Sequence, residues 1–238
     1  MRSPAIQQPF RNSLLASMSP PVRDRLAADL VPITFKRNQT LHNPGETVQM
    51  IYFLEAGICS VVVSMEDGTT VEVGVIGKDS FVGLPAVLGT GHSSNRSFIQ
   101  LPGSGYSLKT NTLREHLSES SGELRTWLFR GVQGLLTQTA QTAACNRVHE
   151  LEERLARWLL MCHDRIQGDQ LPITHEFLAM MLGTRRSTVT VTAGMLHKSG
   201  LIEYSRGKVT IRNRQGLEEV ACECYSIVQD EYVRLQLL

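Results

Sequence analysis

The 238-residue chain is predicted to be an α+β protein. The expected order is an N-terminal antiparallel β-roll of jelly-roll type, a long dimerisation helix, and a C-terminal winged helix-turn-helix. Three observations predict this. Short β-prone runs separated by turn residues fill positions 34–108. Helical periodicity takes over from Asn111. Residues 173–212 then combine two short amphipathic helices, a glycine corner and a hairpin with a basic tip.

Composition sets the outer limits. With 42% apolar residues and a net charge of +1, the chain has the makings of an ordinary core. No run approaches the apolar length that spans a bilayer, so no membrane partner is expected. The opening MRSPAIQQPFRNSLL lacks an apolar export region, which points to a cytoplasmic protein. Five scattered cysteines (Cys59, Cys145, Cys162, Cys222, Cys224) suit reduced thiols better than a disulfide framework.

In order, residues 1–33 form a helical N-terminal segment: a short helix at Asn12–Met18, then Ser19-Pro20-Pro21 opening a helix through Leu30. Residues 34–120 form the β-roll, a candidate sensor domain. Its strands are expected near Ile33–Phe35, Gln39–Leu41, Met50–Glu55, Ile58–Met65, Thr69–Gly74, Phe98–Gln100 and Tyr106–Leu108. Asp67-Gly68 between two alternating runs is a hairpin signal. A short helix at Asn111–Leu117 leads to the long helix, residues 121–146. There Leu124, Leu128, Gly131, Leu135, Gln138 and Thr142 recur at alternating spacings of four and three, as in a coiled-coil seam. Paired with a second copy, this stripe is the expected dimer interface; the alternative packs it on the chain's own roll. Residues 147–238 hold a helix near Val148–Ile166, the helix-turn-helix, the wing and a last helix at about Arg214–Leu235.

Within that last part, Thr174 is the expected N-cap of the first helix and Glu176 complements its dipole. Phe177, Leu178, Met181 and Leu182 fall on one face. Gly183 supplies the corner, and Thr184 is the expected cap of the second helix, which buries Val189, Ala193 and Leu196 and stops at Gly200. The other side of that helix carries Arg185, Arg186, Ser187, Thr188, Thr190 and Thr192. Short hydroxyl side chains permit close approach to a duplex, and a first-turn arginine reaches the two acceptors of a guanine edge. Arg206 and Lys208 at the wing tip, Lys198, Thr174 and His175 are the expected phosphate contacts. From Leu171 to Arg214 there are seven Lys/Arg against two Asp/Glu, a local +5 in a chain of +1. Such concentration favours a polyanion partner, here double-stranded DNA.

Over nearly its whole length the chain resembles the Crp/Fnr family of bacterial transcription regulators. The motifs that carry the resemblance are Ile173-Thr174-His175, Leu178-Ala179, Leu182-Gly183 and Arg186-x-Thr188-Val189, with Asn43-Pro44-Gly45-Glu46, Ile51-Tyr52-Phe53-Leu54-Glu55-Ala56-Gly57 and Phe81-Val82-Gly83 in the roll. The resemblance implies a homodimer that binds a partly palindromic operator, recruits or blocks RNA polymerase, and takes a signal in the roll. Two departures matter. Ser187 and Val191 stand where the family usually has Glu and Arg, so the preferred bases should differ. Gly83 is followed by Leu84, where cyclic-AMP binders place a Glu for the ribose hydroxyl, although Arg96-Ser97 keeps the cation for an anionic ligand. A ribose hydroxyl left unpaired costs about 1–3 kcal/mol. The expected effector pocket is therefore Gly83, Leu84, Arg96 and Ser97, with Thr139 reaching in from the long helix. Leu84 disfavours cyclic AMP without excluding it, and Arg96 either serves an anion or pairs with a loop carboxylate or carbonyl. The first cysteine being Cys59, no N-terminal iron–sulfur cluster is expected.

Other constellations are weaker. On one helix Cys222 and Cys224 would point about 200° apart, a poor chelate, so no metal ligands are expected. No Ser/His/Asp arrangement or phosphate-binding P-loop argues for catalysis. The competing reading is a cyclic-nucleotide-type ligand-binding module whose winged segment docks on protein.

Overall fold

The computed structural model describes residues 10–119 and 122–238. The expectations for residues 1–9, and for Ser121 as the start of the long helix, lie outside the described residues. Two short helices come first, α1 (Ser13–Ala16) and α2 (Pro20–Ala27). Asn12 caps α1 by accepting from the Leu15 amide, and its own amide side chain donates to Leu54 O and Ser80 O. Ser19 does not cap α2. Its amide and hydroxyl both donate to Glu123, each at 2.8 Å.

The β-roll follows: β1 (Val31–Phe35), β2 (Thr40–His42), β3 (Met50–Leu54), β4 (Ile58–Ser64), β5 (Thr70–Ile76), α3 (Leu84–Val87), β6 (Arg96–Leu101) and β7 (Gly103–Lys109). One sheet has the order β1-β7-β3 and the other β2-β6-β4-β5. β7 runs antiparallel between β1 and β3, pairing Ile33 and Leu54 with the same Gly105. A Cβ there would lie 2.1 Å from Phe53 O, so the strand cross-over needs glycine. All seven expected strands are present, displaced by a few residues at their ends, and Gly68 (φ 84°) turns β4 into β5. The roll's core includes Phe35, Ile51, Phe53, Ile58 and Phe81, all within 1% of full burial. Each such side chain contributes roughly 1.5–3 kcal/mol of transfer free energy.

Helix α4 (Thr110–Glu119) leads to α5 (Glu123–Val148), then α6 (Leu151–His163), β8 (Gln170–Leu171), α7 (His175–Met181), α8 (Arg186–Lys198), β9 (Ile202–Ser205), β10 (Lys208–Ile211), α9 (Arg214–Val220) and α10 (Cys224–Arg234). Helix α6 packs on α8 and α9, and β10 pairs with both β8 and β9.

Two expectations change here. The stripe read as a dimer seam faces the chain itself. Leu124, Leu128 and Leu135 are buried, and a Cβ at Gly131 would meet Phe81 at 2.9 Å and Leu14 at 3.0 Å. Gln138 is fully buried, accepting from Val75 N and donating to Val75 O. The side of α5 left open instead carries Phe129 and Leu136, 47% and 58% exposed, with Ala140 and Ala143 further along. Second, the expected last helix is two helices, α9 and α10, separated where Ala221 turns extended (ψ 145°). By its internal contacts the chain divides into two compact units. One takes residues up to Ser60, Ile76–Leu136 and Glu231–Leu238; the other takes Val61–Val75 and Thr137–Asp230.

Candidate nucleic-acid interface and effector residues

The helix-turn-helix lies in the second unit. Thr174 Oγ1 accepts from Phe177 N at 3.2 Å and caps α7 as its sequence position demands. Leu178 and Met181 are buried, Phe177 half so. Gly183 takes φ 60° at the corner, a conformation that costs a residue with a Cβ. Thr184 does not cap the next helix. Arg185 is the extended residue at its start, and its side chain makes no cap hydrogen bond to the first-turn amides of α8. The positive end of that helix dipole therefore stays open to an anion. Val189, Ala193 and Leu196 anchor α8 with 1% exposure or less.

Arg185, Arg186, Ser187, Thr188 and Thr190 are all exposed along this helix. Arg186 meets Glu176 only at 3.8 Å, with both side chains more than two-thirds in solvent, a pair weak enough to open on binding. Thr192, expected with this polar row, is buried, and its hydroxyl donates to Thr188 O. A residue the polar pattern passed over joins the row instead. Val191 is 65% exposed, one turn beyond Ser187, and offers an apolar surface of the kind that meets a thymine methyl. In the sequence it stood out twice, as the position where the resemblance has Arg and as an apolar residue out of phase with the buried positions 189, 193 and 196.

His175 is not displayed as a phosphate contact. Its ring stacks on Tyr204 of β9 with centroids 3.8 Å apart, and Nδ1 lies 3.0 Å from Thr190 Oγ1. Thr190 donates its hydroxyl proton to Arg186 O, so it accepts from the His175 Nδ1–H. Nε2 is buried without a partner. Burial, and then the charge of Arg186, hold the His175 pKa below its usual value. One imidazole thus ties α7, the outward row of α8 and the wing together.

The wing is the sheet β8-β10-β9, with Ser205 and Lys208 paired across Arg206-Gly207. Both turn residues have positive φ (49° and 75°), the geometry of a two-residue hairpin turn. Arg206, Lys208 and Lys198 are exposed, and Lys208 Nζ donates to Gln170 at 3.3 Å. The other two cations of the segment are neutralised: Arg212 by Glu203, whose pKa it lowers, and Arg214 by Asp164 and Glu218. A cleft of about 960 Å³ runs beside the start of α8, lined by Glu176, Gly183, Arg185, Arg186 and, from the β4–β5 turn, Gly68 and Thr70.

Of the five expected effector residues, Gly83, Leu84, Arg96 and Ser97 lie in the first unit and Thr139 in the second. Gly83 (φ 119°) starts α3 and Leu84 follows it with no hydroxyl acceptor to offer. Arg96 Nη2 donates to Thr40 Oγ1 at 3.1 Å and its guanidinium lies 4.9 Å from the centre of the Phe98 ring. Ser97 is buried in β6. Thr139 donates its hydroxyl to Val73 O.

Comparison with known proteins agrees with this geometry. The family model for a Crp-like helix-turn-helix domain matches residues 153–220, and that for a cyclic nucleotide-binding domain matches residues 32–118. A global nitrogen regulator of Nostoc sp. is 27% identical over 188 residues, covering 75% of this chain and 83% of that protein. The transcriptional regulator SdrP of Thermus thermophilus is 30% identical over 109 residues, 46% of this chain and 50% of that one. Among solved structures, FixK2 from Bradyrhizobium japonicum shares the fold with a TM-score of 0.70 at 16% identity, covering 81% of this chain and 98% of that one. No helix among the described residues is long and apolar enough to cross a membrane. With a nucleotide-type β-roll ahead of a winged helix-turn-helix whose basic, hydroxyl-bearing side is open, the chain belongs to the Crp/Fnr family of DNA-binding transcription regulators.

Proposed function

We propose that two copies pair along the open side of α5, through Phe129, Leu136, Ala140 and Ala143, and place two α8 helices in successive major grooves of one operator. Arg185 and Arg186 read base edges, Ser187, Thr188 and Val191 line the closest approach, and Thr190 holds the row in place through His175. Thr174, Lys198, Arg206 and Lys208 contact phosphate. RNA polymerase is the partner that the bound dimer recruits or obstructs. The observation that carries this reading is the outward display of Arg185-Arg186-Ser187-Thr188 at an uncapped helix start, beside an exposed cationic wing tip.

The effector is not cyclic AMP on this reading. Leu84 supplies no ribose acceptor, and both Arg96 and Thr139 already have partners within the chain. Cyclic AMP titrated into the protein should therefore give no calorimetric signal and leave operator affinity unchanged.

The full chain, incubated with a pool of random duplexes, should select sites with two half-sites about 10 base pairs apart, centre to centre. Affinity for them should fall steeply with salt. Absence of duplex binding, or binding indifferent to salt, would favour a module that docks on protein and overturn the DNA reading.

A further inference from the structure

Four side chains outside the DNA-reading surface converge in the second unit. Cys145 on α5 and His149, one turn later and just past the helix end, meet Cys222 from the turn after α9 and Cys224 at the start of α10. Their ligand atoms all lie within 4.8 Å of one another. Cys145 Sγ is 3.5 Å from Cys222 Sγ, and Cys224 Sγ is 3.5 Å from His149 Nδ1. The three thiols are 5% exposed or less. The helix break at Ala221 makes this possible, because Cys222 is not helical and so its thiol is not forced to the opposite side from Cys224.

We infer that Cys145, His149, Cys222 and Cys224 form a structural zinc(II) site. A tetrahedral ion with Zn–S near 2.3 Å and Zn–N near 2.0 Å sets S···S and S···N separations of about 3.8 and 3.5 Å. The closest pairs here are already within a few tenths of an ångström of those values. The outer contacts are those a metal-bound imidazole and thiolate require. The far nitrogen of His149, Nε2, sits 3.2 Å from Glu223 Oε2, an arrangement that fixes the ring with Nδ1 toward the sulfurs. Gln141 Nε2 donates to Cys224 Sγ at 3.2 Å. Binding displaces three thiol protons to solvent and changes no oxidation state. It leaves a complex of net charge −1, close to Arg154 and Arg157, whose Nε–H groups are buried without hydrogen-bond partners. All four positions are protein ligands, so the ion has no open site for catalysis and clamps the end of α5 to the α9–α10 turn. The site stands apart from the base-reading surface, so neither reading depends on the other.

The reduced full chain, purified without chelator, should carry one zinc ion per chain by elemental analysis. Replacing zinc by cobalt(II) should give the thiolate-to-metal absorption and intense visible bands of a tetrahedral sulfur site. Cys222→Ser should abolish that absorption, whereas Cys59→Ala, not one of the four ligands, should keep it. Glu223→Gln, at an exposed position, should weaken zinc affinity about 10–100-fold. The wild-type cobalt spectrum does not depend on any variant folding. A reduced chain that takes up neither ion, a cobalt spectrum without thiolate absorption, or a native Cys145–Cys222 disulfide in place of metal would overturn the site.

Discussion

Arg186 and Lys208 are both exposed cations, yet they should fail differently when removed. Arg186 sits in the first turn of α8, the position proposed to read a base edge; Lys208 sits beside the wing turn, the position proposed to meet phosphate alone. Arg186→Ala should cost about 1–3 kcal/mol on the selected operator and relax preference at one base position. Lys208→Ala should weaken cognate and scrambled duplexes alike and reduce the salt slope by about one per wing. Fluorescence anisotropy on the two duplexes separates the outcomes, and equal losses for both variants would remove the base-reading role. His175 makes a prediction in pH. Its folded-state pKa lies below the unfolded value near 6.5, so the folded protein binds fewer protons there. The stability it supports is complete above about pH 6.5 and is lost as pH falls through the folded value. Melting temperature should thus drop on acidification more in the wild type than in His175→Gln; parallel curves would sink the assignment. At this scale the sequence was legible where the signal is local. The Thr174 cap and the Gly183 corner depend on neighbours within a few positions. The role of His175 depends on Thr190 and Tyr204, which only the folded winged unit brings to it.

The long helix shows what periodicity alone leaves open. Alternating four-and-three spacing identifies a stripe that will be buried, but not by which neighbour. Leu124, Leu128 and Gly131 are taken up by the chain's own first unit, where Gly131 lets Phe81 and Leu14 come close. Small and apolar residues at Phe129, Leu136, Ala140 and Ala143 repeat the same spacing on another side, where a second copy has access. The two stripes should respond in opposite ways. Leu128→Ala, at a fully buried position, should cost about 2–5 kcal/mol of stability. Leu136→Asp combined with Phe129→Asp should leave the melting temperature of the chain nearly intact and convert a dimer to a monomer in sedimentation. A double variant that still sediments as a dimer would place the interface elsewhere. The break between α9 and α10 was hidden for a related reason. Neither glycine nor proline marks Val220-Ala221, and so Cys222 and Cys224 read as residues of one continuous helix.

Four elements run from one compact unit to the other: β4, β5, α5 and α10 each have residues in both. The second unit includes the β4–β5 turn, whose Val71 side chain lies 3.2 Å from where a Cβ of Gly183 would be. It also includes the buried bond from Trp158 Nε1 to Glu72. Residues 147–238 expressed alone would lose these partners together with the last turns of α5. That fragment should give a broad, weakly cooperative melt and poor amide dispersion in NMR spectra; a sharp transition would show that the borrowed hairpin is dispensable. Evolutionary or laboratory exchange of the reading head meets the same constraint. A graft cut only at the end of α5 would strand the Gly183 corner without Val71, so the portable cassette is discontinuous: a β-hairpin tip from early in the chain must travel with the late helices for the new reader to be seated as the old one was.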